Sequence, residues 1–187
     1  ILDFPDLSVD GTFPLGGAIT VVLITAGVNP VLTLLLSFLT GAIAGIITGL
    51  IHVKFKVRDL LSGIIMMTDL YSINLRIAGS ANVAIYSKDS IFDNGLFDRV
   101  IPDGFRPYLM LSVLIIIVVI MKLLLDKYLM TKSGYLLRAV GDNETLVTAL
   151  AKDKGTMKII GLSIANAFVA LSGGLFAQRN GFFDISI

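Results

Sequence analysis

Two groups of polar side chains interrupt long apolar stretches, and these residues are the ones whose types and spacing could do chemistry. One group lies between residues 3 and 12 and the other between residues 60 and 78. Burying a charged group in hydrocarbon is costly, so ionisable residues inside apolar segments usually mark a path for a solute or an ion. The candidate translocation-pathway residues are Asp6, Ser8, Asp10, Thr68, Asp69, Asn74 and Arg76.

The first group allows two interpretations. Pro5, Gly11 and Pro14 disfavour a continuous helix there. The acidic residues then lie either in an exposed loop or beside a discontinuous helix that lines a wet cavity, where irregular backbone is tolerated. In the second case Ser8, Asp10 and Thr12 are helix caps or pathway groups, and the helix over residues 15–28 points its N-terminus inward.

The second group is also open to a simpler interpretation. Asp69 and Arg76 are seven residues apart, so they share one face of a helix about two turns apart. Arg76 lies close enough to the segment end for its long side chain to reach the membrane interface. Asp69 is harder to explain in that way, and we expect it to find a partner on another helix.

The composition indicates a membrane protein. The chain is 55% hydrophobic over 187 residues with mean hydropathy +0.87, whereas soluble domains are nearer 45–50% apolar. It has no cysteine and a single histidine, which argues against disulfides and multi-histidine metal sites. A net charge of +1 without a basic stripe gives no sign of nucleic-acid binding. The chain starts at Ile1 and stops at Ile187 inside an apolar motif, so we expect it to be incomplete at both ends.

Four segments are long and apolar enough to be predicted as membrane spans, which need roughly 20 residues. They cover residues 31–51, 60–78, 108–130 and 157–178, and residues 15–28 are too short to cross alone. Gly41, Gly45 and Gly49 recur every four residues, a pattern typical of close helix packing. The predicted fold is an all-α, polytopic transmembrane bundle that forms one domain over residues 1–187.

Basic residues predict the orientation, because they concentrate on the cytoplasmic side. One basic cluster covers residues 52–58, and residues 122–158 hold seven of the fifteen Lys and Arg residues. The loop over residues 79–107 is net acidic and is predicted to be external. Spans 31–51 and 108–130 then run inward, and spans 60–78 and 157–178 run outward.

Residues 133–158 are unusually polar for this chain and lie on the predicted cytoplasmic side. Leu136, Val140, Val147 and Leu150 fall on one face at helical spacing. We expect a short helix, a turn at Gly141 and a second short helix. Such an amphipathic segment either rests on lipid headgroups or forms a docking surface for a cytoplasmic partner.

A short motif occurs twice. Residues 4–9 (FPDLSV) and 182–187 (FFDISI) both read F-x-D-[LI]-S-[VI]. The predicted topology places the first copy toward the inner side and the second at the outer side, as an inverted-topology repeat requires. Our hypothesis is two inverted halves, each opened by a broken helix.

Three stretches together resemble a known family. The sequence GYLLRAVGDNETLVTALAKDKGTMKIIGLSIANAFVALSGGLFAQ is similar to a cytoplasmic loop and the following helix in ABC transporter permeases of the branched-chain amino acid and ribose importer type. The stretch LDFPDLSVDGTFPLGGA is similar to a segment near the front of those permeases. The stretch LLSGIIMMTDLYSINLRIAGSAN resembles an uncharacterised subgroup linked with binding proteins for aromatic or other amino acids. The resemblance covers essentially the whole chain.

The resemblance implies a function and a set of partners. The chain would be the permease of an importer in the bacterial cytoplasmic membrane, moving a small, amino-acid-like solute inward by alternating access. Its partners would be cytoplasmic ATPase subunits, an extracytoplasmic substrate-binding protein that the external loop helps to receive, a second permease copy and membrane lipid. Residues 133–156 would be the coupling segment, with the ATPase contacted by Arg138, Ala139, Val140, Gly141, Asp142, Asn143 and Glu144.

The chain is not expected to be an enzyme or to hold a cofactor or a metal itself. It lacks the G-x-x-x-x-G-K-[ST] phosphate loop, so ATP and magnesium would be bound by the partner subunit. The alternative function is a secondary transporter driven by an ion gradient, which inverted repeats and Asp69 fit equally well. Such a transporter has no need of the 133–158 segment, which favours the importer.

Overall fold

The computed structural model describes residues 4–85, 90–92, 106–142, 147 and 154–185. About four fifths of these residues are helical, which confirms the predicted all-α class. In chain order the elements are α1 (Val9–Thr25), α2 (Pro30–Phe55), α3 (Asp59–Ala78), β1 (Asn82–Ala84), α4 (Arg106–Leu129), α5 (Lys132–Asp142), α6 (Lys154–Asn180) and β2 (Phe182–Asp184).

Three described helices are long and apolar enough to cross a membrane: α2, residues Tyr108–Leu129 of α4, and α6. The fourth predicted span folds as α3. Its 20 residues give a helix about 30 Å long, but Asp59, Asp69 and Arg76 make it less apolar than the other three. The 17-residue α1 is apolar but shorter than a span.

Glycines hold α2 and α6 together. A Cβ on Gly41 would collide with the Asn166 carbonyl oxygen, and one on Gly45 would lie 2.7 Å from the Leu162 carbonyl carbon. A Cβ on Gly49 would meet the Ile159 backbone at 2.9 Å. The four-residue glycine repeat is therefore confirmed as a packing face, because only hydrogen at these positions lets the two backbones approach so closely.

Glycines also let α1 and α6 approach each other closely. A Cβ on Gly16 would overlap the Ala170 carbonyl, and one on Gly173 would overlap the Phe13 carbonyl. The α1 helix is thus enclosed by α2, α3 and α6, and Ala18 and Val21 are fully buried.

Local sequence explains where the helices begin and end. The Asn29 side chain accepts a hydrogen bond from Val31 N–H at 2.9 Å, and Pro30 occupies the first position of α2. Lys56 ends α2 in the left-handed conformation with φ 55°, and Gly79 ends α3 with φ 74°. The three residues between α2 and α3 make the two helices antiparallel neighbours.

Two short strands that the sequence did not predict lie at one end of the bundle. β1 and β2 pair antiparallel with Val83 opposite Phe183, and the Phe183 ring is buried against Gly17 of α1. Three residues are too few to show the alternation that marks a strand. We call this the ribbon end.

The opposite end of the molecule carries the basic clusters. Lys158 Nζ lies 3.5 Å from His52 Nε2, which joins the start of α6 to the end of α2. Phe4 packs edge-on against the His52 ring with centroids 5.1 Å apart. We call this the basic end. The two F-x-D copies therefore lie toward opposite ends of the bundle, Phe4 near the basic end and Phe182 in the ribbon.

The break in the first segment differs from the one expected from Gly11 and Pro14. Both residues lie inside α1, which starts at Val9 rather than near Leu15. The irregular backbone is instead residues 4–7, which run between α2 and α6 from His52 toward Asn166. Pro14 is the sixth residue of α1, past the four N–H groups that have no intrahelical partner, so it removes the bond that residue 14 would make to the Asp10 carbonyl.

Candidate functional site

A buried polar network ties the start of α1 to the middle of α6. Asn166, fully buried, donates from Nδ2 to Asp6 Oδ2 at 2.9 Å and accepts at Oδ1 from Thr12 Oγ1 at 2.6 Å. The other Asp6 oxygen accepts from Ser8 N–H at 2.9 Å and from Ser8 Oγ at 2.6 Å. Asp6, Ser8 and Thr12 are therefore satisfied groups within the protein and do not lie in an exposed loop.

This network fixes the depth at which α1 begins. Asn166 lies near the middle of α6, so Ser8 and Val9 place the N-terminus of α1 well inside the bundle rather than at its surface. Ser8 occupies the cap position of α1, but its side chain makes no capping bond because it is bonded to Asp6. A half-helix that starts at depth is the arrangement by which transporters present an N-terminus to a solute.

Asn166 is a site residue that the sequence reading missed. It lies in the apolar run of residues 157–178, which was read only as a span. The available signal was a lone amide side chain among apolar neighbours, since such a group needs a hydrogen-bonding partner in a membrane.

Asn166→Ala should destabilise the bundle by about 2 kcal/mol, because Asp6 and Thr12 would keep buried polar atoms without their partner. Thermal unfolding of the full-length protein in mild detergent measures this. The control is Ser163→Ala on the same helix, which removes one bond to the Ala42 carbonyl. Equal melting temperatures for the two variants would contradict the role of the network.

An open groove of about 690 Å³ runs along α1 between α3 and α6. Its wall contains Asp10, Phe13, Pro14, Met67, Tyr71 and Asn74. Of the predicted pathway residues, the structure therefore brings Asp10 and Asn74 together in one groove. The groove extends from Val9 at the start of α1 to Ile185 beside the ribbon.

Asn74 is a buried polar residue in the wall of this groove. It is fully buried, and its Nδ2 donates to the Gly11 carbonyl at 2.9 Å. Its Oδ1 accepts no hydrogen bond from any residue that the structure describes. A buried amide oxygen without a donor is uncommon and asks for an explanation.

The remaining pathway candidates do not line the groove. Thr68, Asp69 and Arg76 are all exposed on the face of α3 that points away from α1, opposite the buried Leu70 and Asn74. The shared face of Asp69 and Arg76 is confirmed. Their assignment to a pathway stays a prediction, because no other described element covers that face.

A second, smaller cavity of about 280 Å³ lies at the basic end between the N-terminal segment and α4, α5 and α6. Phe4 and Asp6 form one side, and Tyr128, Leu137 and Leu162 are among the residues on the other. The cavity wall therefore includes both Leu137 of α5 and Asp6 of the buried polar network.

The connection from α4 to α5 is tight. Thr131 Oγ1 accepts from Gly134 N–H at 3.2 Å, which caps the start of α5. Tyr128 Oη and Ser133 Oγ lie 2.9 Å apart, and a Cβ on Gly134 would crowd the Leu129 backbone. These contacts fix the angle between α4 and α5.

The faces of α5 are clearly different. Gly134, Leu137 and Val140 are buried, whereas Tyr135, Arg138 and Asp142 are exposed on the other side; Ala139 and Gly141 are half-buried. The first predicted short helix is α5, which runs through Gly141 and ends at Asp142; a turn after it would fall on residues 143–146, outside the described residues, so the turn stays a prediction. Asn143, Glu144 and Leu150 lie outside the described residues, while Val147 is described and buried as expected.

The described residues contain no cluster of His, Asp or Glu that would hold a metal ion.

Comparison with known proteins gives consistent matches over the whole chain. The family model for the branched-chain amino acid transport system permease component matches residues 1–187. A protein named tyrosine transport system permease protein, from Clostridioides difficile (strain R20291), is 42% identical over 187 residues, covering all of this chain and 59% of the relative. An uncharacterised protein of Rickettsia prowazekii (strain Madrid E) is 33% identical over 192 residues, covering all of this chain and 62% of the relative. The chain thus spans about three fifths of the length of these curated relatives, and no solved structure gives a significant match.

Proposed function

Because the chain belongs to the family of branched-chain amino acid transport permease components, we propose that the full-length protein is the membrane-spanning subunit of an ABC importer. The family and the apolar helices make it a multi-pass protein of the cytoplasmic membrane. Its solute would be an aromatic amino acid, since a relative that is 42% identical carries the name of a tyrosine transport permease. A separate ATPase would drive inward transport by alternating access.

The observation that carries this proposal is α5. It is a short helix at the basic end with an exposed polar face, made of Tyr135, Arg138 and Asp142. Arg138 offers a guanidinium that can form paired hydrogen bonds with a carboxylate of a soluble partner. A helix with one buried apolar face and one exposed charged face is suited to docking an ATPase subunit.

The contacts that link α5 to the N-terminal segment explain how docking of an ATPase on α5 would move the other helices. Leu137 faces the small cavity whose other side is formed by Phe4 and Asp6. Asp6 is bonded to Asn166 of α6, and Ser8 begins α1. Displacing α5 would therefore press on the segment that sets the position of α1, which borders the groove.

The proposal includes the other partners of such an importer. A substrate-binding protein would dock on the predicted external loop over residues 79–107, which starts beside the ribbon. A second permease copy would pack beside this one, and α2 and α4 expose large apolar side chains such as Leu35, Ile43 and Ile116 that a copy or lipid would cover. ATP and magnesium would be held by the motor subunits.

Reconstituted transport tests the proposal. The full-length protein, its ATPase and its binding protein are placed in proteoliposomes, and uptake of labelled L-tyrosine is followed with ATP enclosed. We expect uptake that requires hydrolysable ATP and survives ionophores that collapse proton and sodium gradients. Uptake that runs without ATP and stops with the ionophores would establish the gradient-driven transporter instead.

A further inference from the structure

Asp10 and Asn74 are residues of the groove wall along α1, and among the described residues they carry three oxygen acceptors with unused hydrogen-bonding capacity. The first is Asn74 Oδ1, which is buried and receives no hydrogen bond from the described residues. The second is the Asp10 main-chain carbonyl: residue 14 is proline and lacks the N–H that would bond to it in a regular helix. The third is the Asp10 carboxylate, which is exposed in the groove.

These acceptors have one chemical requirement in common. A group of oxygen acceptors needs hydrogen-bond donors from a ligand, and a carboxylate among the acceptors favours a positively charged donor. A primary ammonium group supplies three N–H donors and one positive charge in a compact form. A guanidinium, by contrast, is planar and suits paired acceptors.

The rest of the groove is apolar. Phe13, Met67, Val169 and Ile185 contribute to its wall, and Tyr71 adds an aromatic ring. A volume of about 690 Å³ is in the range of small-ligand sites. A ligand with an ammonium at one end and an apolar or aromatic body fits both parts of this surface.

We propose that this groove binds the solute, with the ammonium held at the exposed Asp10 carboxylate and the side chain laid against Phe13 and Met67. Asn74, which is fully buried, contacts the adjoining Gly11 carbonyl rather than the solute. Pro14 then has a chemical role: it leaves the Asp10 carbonyl free to accept from the ligand. This assignment rests on the proposed transport function and names the site of recognition within it. Asp69 and Arg76, on the other face of α3, take no part in binding the solute.

Thiol protection tests the site directly. Ser172 is exposed and lines the groove, and the 187 residues contain no cysteine, so Ser172→Cys introduces a single reporter into this region. The full-length protein, with any cysteine elsewhere replaced, is labelled with a methanethiosulfonate reagent. L-Tyrosine and tyramine should slow labelling, whereas 3-(4-hydroxyphenyl)propionate, which lacks the ammonium, should not.

Two second-site variants test the acceptors. In the Ser172→Cys background, Asp10→Asn removes the charge and Pro14→Ala restores the missing N–H. Each should raise the L-tyrosine concentration needed for protection by about tenfold, the loss expected for one charge-assisted or buried hydrogen bond. Asp126→Asn on α4, outside the groove, is the matched control and should not change protection.

The outcomes separate this inference from the proposed function. If ATP-driven uptake occurs but L-tyrosine gives no protection, or the acid without an ammonium protects equally, the ammonium site is overturned and the importer stands. Protection that Asp10→Asn leaves unaltered overturns the site in the same way. Protection without any ATP-driven uptake overturns the proposed motor-driven function and keeps the binding site.

Discussion

Gly45→Val is expected to prevent α2 from packing on α6, with a loss of about 3 kcal/mol or more in unfolding free energy. The added side chain would lie 2.7 Å from the Leu162 carbonyl carbon and from Ser163 Cα. Both are backbone atoms of a long helix, so neither can rotate away as a flexible side chain would. The variant should give little folded protein in detergent, measured by size-exclusion chromatography and thermal unfolding.

The control for this prediction lies on the same helix. Ile43 is 56% exposed on the opposite side of α2, and Ile43→Phe adds a bulky group there. We expect its melting temperature to stay near that of the parent. If Gly45→Val were as stable as Ile43→Phe, the two backbones would have room to separate, and the tight helix pair would be refuted.

Arg138→Glu is expected to reduce ATP-driven uptake by roughly tenfold or more, because it replaces a charged donor on the exposed face of α5 with a group of opposite charge. The motor subunits should still hydrolyse ATP, but hydrolysis should no longer rise when the loaded binding protein is added. Uptake and phosphate release are measured in the same proteoliposomes.

A charge reversal elsewhere at the basic end is the matched control. Lys54 is exposed near the end of α2 and lies outside α5. Lys54→Glu should keep both uptake and stimulated hydrolysis. Folding of Arg138→Glu is checked by its melting temperature, which should match the parent because the side chain is exposed. Parental uptake by a folded Arg138→Glu protein would count against docking through α5.

Local sequence was enough to predict the long helices. Apolar runs of span length predicted α2, α4 and α6, because the hydrocarbon thickness fixes how many apolar residues a helix needs. The glycine repeat in α2 predicted a close partner, since spacing by four keeps the small residues on one face. The motifs over residues 133–178 indicated the family that the comparison then showed.

The residues at which the helices start and end were harder to predict from the sequence. Gly11 and Pro14 suggested a break, yet α1 runs through both, and α5 ends at Asp142 rather than at Gly141. Propensity is a weak signal that packing overrides: α1 is held on three sides by α2, α3 and α6. The ribbon could not be predicted for a related reason, since its strands pair only because the segments that follow α3 and α6 meet in the folded chain.

By itself the sequence determined that this is a multi-pass, helical membrane protein with a polar helix between two apolar runs, because period, length and composition are properties of neighbouring residues. The permease family came from the resemblance of its motifs. Only the tertiary structure decided which polar groups act together. Asn74 and Asp69 lie on one helix, but packing against α1 turns Asn74 into the groove and leaves Asp69 facing outward. The partnership of Asp6 with Asn166 spans 160 residues, and no local pattern records such a distance.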